Sequence, residues 1–171
     1  MLAAQCAWTI LQAEHSQLRL LLASIEEALH SPSWHKPGPA LVQLRQRIEA
    51  LQTFDHHSHR PKGVVLMQAL RGRAADTDRF TEELEHERER EDDLLAAAVD
   101  CLEALAAGDE DSADECAALL AEHRAQMLHH LEEEDTTLFV HSNRLLSEEE
   151  WSSVVSSISS VLYPGEDAAK H

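Results

Sequence analysis

The clearest structural signal in the sequence lies in residues 116–138, CAALLAEHRAQMLHHLEEEDTTL. Successive residues of an α-helix advance by about 100° around the axis. On that spacing, one face of the stretch collects apolar residues together with two histidines and a carboxylate: Cys116, Leu120, His123, Met127, His130, Glu134 and Leu138. The periodicity predicts an amphipathic helix with His130 and Glu134, one turn apart, on its buried side.

Glu134 needs a partner on this apolar face. A carboxylate is costly to bury unless a cation, a metal ion or a hydrogen-bond donor lies beside it. A histidine and a carboxylate one helical turn apart have a spacing that can hold a metal ion. Taken on this helix alone, His130 is more commonly a hydrogen-bonded core residue than a ligand. Further ligands would have to come from other helices.

Apolar periodicity predicts helices along nearly the whole chain, over about residues 3–30, 40–70, 76–107 and 109–145. We expect the second helix to break or bend between Asp55 and Pro61, because proline forbids a regular continuation, and Ser58 is a candidate cap for its second part. Residues 147–151, SEEEW, have the pattern of a capping box that begins a short final helix through about Leu162.

The fold class follows from these elements. The alternation typical of strands is nowhere sustained, and short connections between long helices favour antiparallel neighbours. We therefore expect an all-α protein, an up-down-up-down antiparallel four-helix bundle with a short C-terminal helix. A length of 171 residues with 43% apolar content predicts one domain, residues 1–171.

Charge and composition exclude several classes of partner. The formal net charge of −18 and the isoelectric point near 4.9 argue against nucleic acid and against an anionic membrane. Cys6, Cys101 and Cys116 are odd in number and contain no Cys-x-x-Cys pair, which indicates reduced thiols in a cytoplasmic protein. No signal peptide or membrane span is evident.

Polar residues also fall on the apolar faces of the other helices. By helical angle His15 points inward in the first helix, His59 and Gly63 in the second, and Arg88 in the third. His15, His59, Arg88 and His130 lie at similar distances from the connections of their helices, so we expect them at similar depth in the bundle. Three helices thus contribute an inward histidine, and one contributes an arginine.

These residues resemble the hemerythrin-like (HHE cation-binding) family. His59-Arg60-Pro61-Lys62-Gly63 is similar to that family's His-His-Pro-Lys-Glu, His130 to Glu134 matches its final His-x-x-x-Glu, and residues 146–151 look like its ending. The resemblance implies an up-down four-helix bundle that holds a non-haem, usually di-iron centre. By that resemblance, the metal ligands carried over are His15, His59, His130 and Glu134.

Two positions depart from the family pattern. Gly63 stands where the second helix should supply a bridging glutamate, and Arg88 stands where the third should supply a histidine. His15, His59 and Glu134 still form a two-histidine, one-carboxylate set that suits non-haem iron, and also manganese or zinc. His130 alone remains at the second metal position, where Arg88 is expected to pair with Glu134 or Glu91. We therefore expect a mononuclear or empty site.

The alternative is a metal-free bundle. In that interpretation the histidines are core remnants, and Arg88 forms a buried salt-bridge network with Glu134 and Glu91. Two function classes stay open: a metal binder that handles dioxygen, nitric oxide, iron or redox state, and a regulatory or interaction module with a protein partner or a second copy as a homodimer. An enzyme is the weaker third, because no substrate-positioning motif or activated nucleophile is present, and we identify no catalytic residue.

We expect no ligand role for the remaining histidines. We expect His123 in the core and His86 in solvent, and we place His56 and His57 in a solvated loop. We expect the others on the surface or in loops: His30, His35, His129, His141 and His171.

Overall fold

Helices form almost all of the structure, a computed structural model that describes residues 2–161. No strand occurs among those residues, so the predicted all-α class is confirmed. None of the described helices has the length and apolar character that a membrane crossing requires. The seven α-helices in this range are α1 (Leu2–Leu29), α2 (Pro39–Phe54), α3 (Arg60–Leu70), α4 (Ala75–Ala106), α5 (Ala113–Glu133), α6 (Phe139–Leu145) and α7 (Glu148–Ser159).

Two π-helical turns join helices end to end. The turn Asp55–His59 connects α2 to α3, and the turn Glu134–Leu138 connects α5 to α6. In the first, the backbone N–H of Arg60 donates to the carbonyl of Asp55, five residues back. In the second, the backbone N–H of Phe139 donates to the carbonyl of Glu134. Each pair of helices is therefore one long helix with a widened turn inside it, and such turns are frequent at functional sites.

The predicted break between Asp55 and Pro61 was wrong. The helix continues because the π turn ends immediately before α3, and Pro61 then occupies the first turn of α3, where a missing N–H and a fixed φ are tolerated. Ser58 is also not a helix cap, since its hydroxyl donates to Glu14 and accepts from Lys62.

The chain divides into two compact units. The first unit comprises, of the described residues, 2–18, 52–83 and 131–161, and the second comprises Arg19–Leu51 and Leu84–His130. The chain passes from the first unit to the second within α1 and returns within α2. It passes to the second unit again within α4 and returns near the end of α5. The chain therefore crosses between the two units four times. The assignment of residues 1–171 to one domain stays a prediction.

The core of the first unit lies where α3 meets α6 and α7. Its apolar side chains include Leu66, Leu70, Trp151, Val154 and Ile158, all buried. The predicted capping box is confirmed, because Ser147 Oγ accepts from the Glu150 N–H while the Glu150 carboxylate accepts from the Ser147 N–H. The helix ends at Ser159, and the predicted end near Leu162 lies outside the described residues.

The second unit has its own apolar core, in which each of its helices contributes side chains at helical spacing. A 3₁₀ turn, Pro32–His35, follows α1 and buries Trp34, whose indole N–H donates to the carbonyl of Leu29 at 3.3 Å. The core residues of this unit include Leu22, Ile25, Leu44, Ile48, Leu51, Leu95, Ala98, Leu102, Leu105, Cys116, Leu120 and Met127.

Candidate metal centre

Three of the predicted ligands meet in the first unit. His15 comes from α1, His59 is the last residue of the first π turn, and Glu134 is the first residue of the second. Their ligand atoms all lie within 4.8 Å of one another, and each residue is at most 2% exposed. The Nε2 atom of His15 is 2.9 Å from Glu134 Oε2, and that of His59 is 3.1 Å from the same oxygen. Both imidazoles therefore direct the same nitrogen at one buried carboxylate.

The other nitrogen of each imidazole also faces a carboxylate. His15 Nδ1 lies 2.7 Å from Asp135 Oδ1, and His59 Nδ1 lies 2.9 Å from Asp55 Oδ1. The second oxygen of Asp55 accepts from Arg60 Nε at 2.7 Å. This is the pattern of a metal site in which an outer carboxylate fixes the orientation of a ligating histidine.

These neighbours shift the pKa values of the site. Burial alone would lower the pKa of His15, but the hydrogen bond to Asp135 and the adjacent Glu134 carboxylate outweigh it and raise that pKa to about 9. Burial likewise opposes the rise of the His59 pKa, which the charge of Glu134 and the hydrogen bond to Asp55 bring about. Burial raises the pKa of Asp55, but the contact with His59 prevails and lowers it to about 2. Without a metal, the neighbouring carboxylates thus favour the protonated form of both imidazoles.

The donor set fits a single metal ion. Among the described residues, His15 Nε2 is buried and has no hydrogen-bond partner of good geometry, although the Glu134 oxygen is close. Metal bonds of about 2.0–2.2 Å place ligand atoms roughly 3–4 Å apart. The two nitrogen–oxygen distances, 2.9 and 3.1 Å, lie at the short end of that range. Two imidazoles and one carboxylate suit non-haem iron, manganese or zinc. A metal ion would replace the Nε2 protons and bind both nitrogens and the Glu134 carboxylate.

His130 is buried in the second unit. Its Nδ1 atom lies 3.2 Å from Glu91 Oε1 and 3.7 Å from Glu87 Oε2. It is not a member of the group formed by His15, His59 and Glu134. The structure therefore accounts for His130 as a buried residue in contact with acidic side chains, and its role as a ligand stays a prediction.

Gly63 and Arg88, the two positions that depart from the family pattern, are both buried, as their helical angles predicted. Arg88 is 8% exposed, and Gly63 is buried in α3. A buried guanidinium keeps its charge, so a counter-charge near Arg88 is needed. That its partner is Glu134 or Glu91 stays a prediction.

Most of the other histidines lie where the sequence suggested. His123 is buried, and His30, His56, His57, His86 and His129 are exposed. His56 and His57 belong to a π turn rather than to a loop. His35 is half-buried, and His171 lies outside the described residues.

His141 is not a surface residue. Its side chain is only 15% exposed, its Nδ1 lies 2.7 Å from Thr77 Oγ1, and its ring stacks on Phe80 with the ring centroids 5.5 Å apart. The expectation was wrong because α6 contacts the beginning of α4 along the face that carries this histidine.

Sequence reasoning missed the residues that surround the ligands. Asp55 precedes His59 by four residues, a helical spacing that could have revealed it. Asp135 gave no such signal, because it is adjacent to Glu134 and a regular α-helix would turn the two side chains about 100° apart.

A second polar cluster adjoins the ligands along the chain. Lys62 Nζ donates to Glu14 Oε1 at 2.6 Å and to Ser58 Oγ at 2.8 Å, and Ser58 Oγ donates to the same Glu14 oxygen at 3.1 Å. Glu14 precedes His15, and Ser58 precedes His59. The cluster therefore links α1 to the first π turn beside the two histidines.

The family follows from a comparison with known proteins. The model of the hemerythrin HHE cation-binding domain matches residues 6–141, which is most of the chain and includes all three clustered ligands. No curated protein and no solved structure matches the chain. The chain belongs to the hemerythrin family of HHE cation-binding domains.

Proposed function

We propose that this protein binds one metal ion, non-haem iron in the first place, through His15, His59 and Glu134. The observation that carries the proposal is the approach of two imidazole nitrogens, at 2.9 and 3.1 Å, to one buried carboxylate oxygen. Manganese and zinc are the alternatives for the same donor set. A bound iron would supply coordination positions that three protein ligands leave open.

The role that we infer is the handling of dioxygen, nitric oxide, iron or redox state in the cytoplasm, without catalytic turnover. Its support is the family together with the burial of the ligands. A small diatomic molecule can reach a buried site, whereas a larger substrate needs a cleft that opens onto the ligands. The side chains bind and orient the metal, exclude bulk water and hold protons on the Nδ1 atoms of His15 and His59.

The number of metal ions that we propose is one. Gly63 and Arg88 replace two ligands of the family pattern, and His130 contacts Glu91 instead of joining the cluster. At a position where the family pattern has a ligand for the second metal, the permanent positive charge of Arg88 would oppose binding of a second cation by electrostatic repulsion.

Metal analysis of the purified protein tests this proposal. We expect about one iron per chain after expression with iron available, and a loss of most of it in His15→Ala and in His59→Ala. His86→Ala is the matched control, because that imidazole is 78% exposed and should leave the metal content unchanged. A protein that takes up no iron, manganese or zinc would contradict the proposal.

Reaction with nitric oxide distinguishes a protein that binds small molecules at its iron from one that only stores the metal. The iron(II) protein should form a nitrosyl complex with a new electron paramagnetic resonance signal, and that signal should be absent from His59→Ala. Iron that stays bound but never reacts with nitric oxide or dioxygen would argue for iron handling alone.

One observation favours a second candidate, a metal-free regulatory or interaction module. The three carboxylates of Glu134, Asp135 and Asp55 are balanced by the two imidazoles, when these are protonated, and by Arg60, so the cluster can satisfy its own charges. Such a protein would carry no metal, and chelation would leave its thermal unfolding midpoint unchanged. Its activity would then depend on a protein partner or on a second copy of the chain, which size-exclusion chromatography with light scattering would detect.

A further inference from the structure

Each π turn contributes a pair of residues to the metal centre. The first turn supplies Asp55 and His59, and the second supplies Glu134 and Asp135. One residue of each pair is a candidate ligand. The other is a carboxylate within hydrogen-bond distance of an imidazole Nδ1, at 2.9 Å for Asp55 and at 2.7 Å for Asp135.

The second turn places two consecutive carboxylates around one imidazole. Glu134 lies 2.9 Å from Nε2 of His15, while Asp135 lies 2.7 Å from Nδ1 of the same ring. In a regular α-helix, neighbouring side chains diverge by about 100°. A π turn holds more residues per turn, so consecutive side chains diverge less, and both carboxylates can face His15.

We propose that Asp135 and Asp55 are positioning residues of the metal centre, and that they select Nε2 as the metal-binding nitrogen of His15 and His59. Each aspartate accepts the Nδ1–H of one imidazole, which leaves only Nε2 for the metal. The inference rests on the proposed function, because it concerns how that site is oriented. It adds the identity of the bound nitrogen and the two residues that decide it.

The two aspartates differ in how firmly they are held. Asp55 is 4% exposed, and its second oxygen accepts from Arg60. The Asp135 side chain is 20% exposed. Replacement of Asp135 should therefore disturb folding less, and this aspartate is the better one to test.

Cobalt(II) substitution gives a readout that a purely structural role would not change. The unmodified protein with bound cobalt should show, in proton NMR spectra recorded in water, two strongly shifted exchangeable signals from the Nδ1–H groups. Asp135→Ala should lose or broaden one of them through exchange with solvent, and its affinity for cobalt should fall about 10–100-fold. Asp135→Asn keeps an oxygen acceptor and should retain the signal and most of the affinity.

Glu132→Ala is the matched control, since Glu132 is an exposed carboxylate on the same long helix and its loss changes the net charge equally. Circular dichroism verifies the fold of each variant. If Asp135→Ala does not fold, the Asn variant and the number of exchangeable signals in the unmodified protein decide the question.

The outcomes distinguish this inference from the proposed function. A chain that takes up no cobalt, iron or zinc overturns both. Cobalt that binds without any exchangeable shifted signal, or with equal affinity in Asp135→Ala and the unmodified protein, overturns only the positioning role of the aspartates.

Discussion

Lys62 is a charged residue that is buried, and its partners account for that burial. It is 8% exposed, and its ammonium group donates to the Glu14 carboxylate and to the Ser58 hydroxyl. Burying an ammonium group is costly unless a carboxylate lies beside it. The contribution of this cluster to stability therefore depends on all of its members being present.

Removal of Lys62 alone should destabilise the protein. Lys62→Met leaves the largely buried Glu14 carboxylate without its ion-pair partner, and we expect a loss of about 1–3 kcal/mol in the free energy of unfolding. The double variant Lys62→Met/Glu14→Gln should recover part of this loss. Urea denaturation measures both, with the exposed Arg79→Ala as control. An unchanged midpoint of urea denaturation in Lys62→Met would show that the cluster contributes nothing to the free energy of unfolding.

The three cysteines should differ sharply in reactivity. Burial raises the pKa of Cys116 to about 12, and burial followed by the charge of Glu115 raises the pKa of Cys101. A raised pKa keeps a thiol protonated at pH 8, and the protonated form is a poor nucleophile. Iodoacetamide at pH 8 should therefore modify the exposed Cys6 first, Cys101 more slowly, and Cys116 only after denaturation. Peptide mass spectrometry gives the order, and early labelling of Cys116 would contradict it.

At the scale of elements, the two π turns shape the candidate centre. Each occurs within a long helix at a candidate ligand, and each also places a carboxylate beside an imidazole Nδ1. A π turn can be regarded as one extra residue in an α-helix, so the flanking helices can keep their faces if that residue is removed.

Deletion of Thr136 tests the second turn. We expect the turn to close into regular α-helix, helical content to persist in circular dichroism, and iron content to fall by most of its value, because Glu134 and Asp135 no longer face His15 together. Thr136→Ala, which keeps the chain length, is the control and should retain its iron. Full iron content in the deletion variant would show that the π geometry is dispensable.

Across the whole molecule, we expect the departures from the family pattern to limit the metal content to one ion per chain. Gly63 and Arg88 occupy two buried positions at which the resemblance calls for a glutamate and a histidine. The double variant Gly63→Glu/Arg88→His should raise the iron content from about one towards two per chain, whereas Arg88→Ala alone should mainly lower stability. Elemental analysis and the thermal unfolding midpoint measure the two effects. Two irons in the unmodified protein would show that this account of the missing ligands is wrong.

Helical periodicity was enough to predict the helices and the inward direction of the clustered ligands. A helical period fixes the angle of every residue around its own axis, so His15, His59 and Glu134 could be placed on buried faces without knowledge of their neighbours. The capping box at Ser147 was equally local, since its two hydrogen bonds join residues three apart.

The three-dimensional structure was needed to establish which nitrogen of each imidazole faces Glu134, and that Asp135 contacts a histidine 120 residues away. It also showed that Pro61 follows a π turn rather than a break, that Lys62 is buried against Glu14, and that His130 contacts Glu91. The physical reason is the same in each case. These contacts depend on distances between segments far apart in sequence and on a local change of helical pitch, and the periodicity of a single helix contains neither quantity.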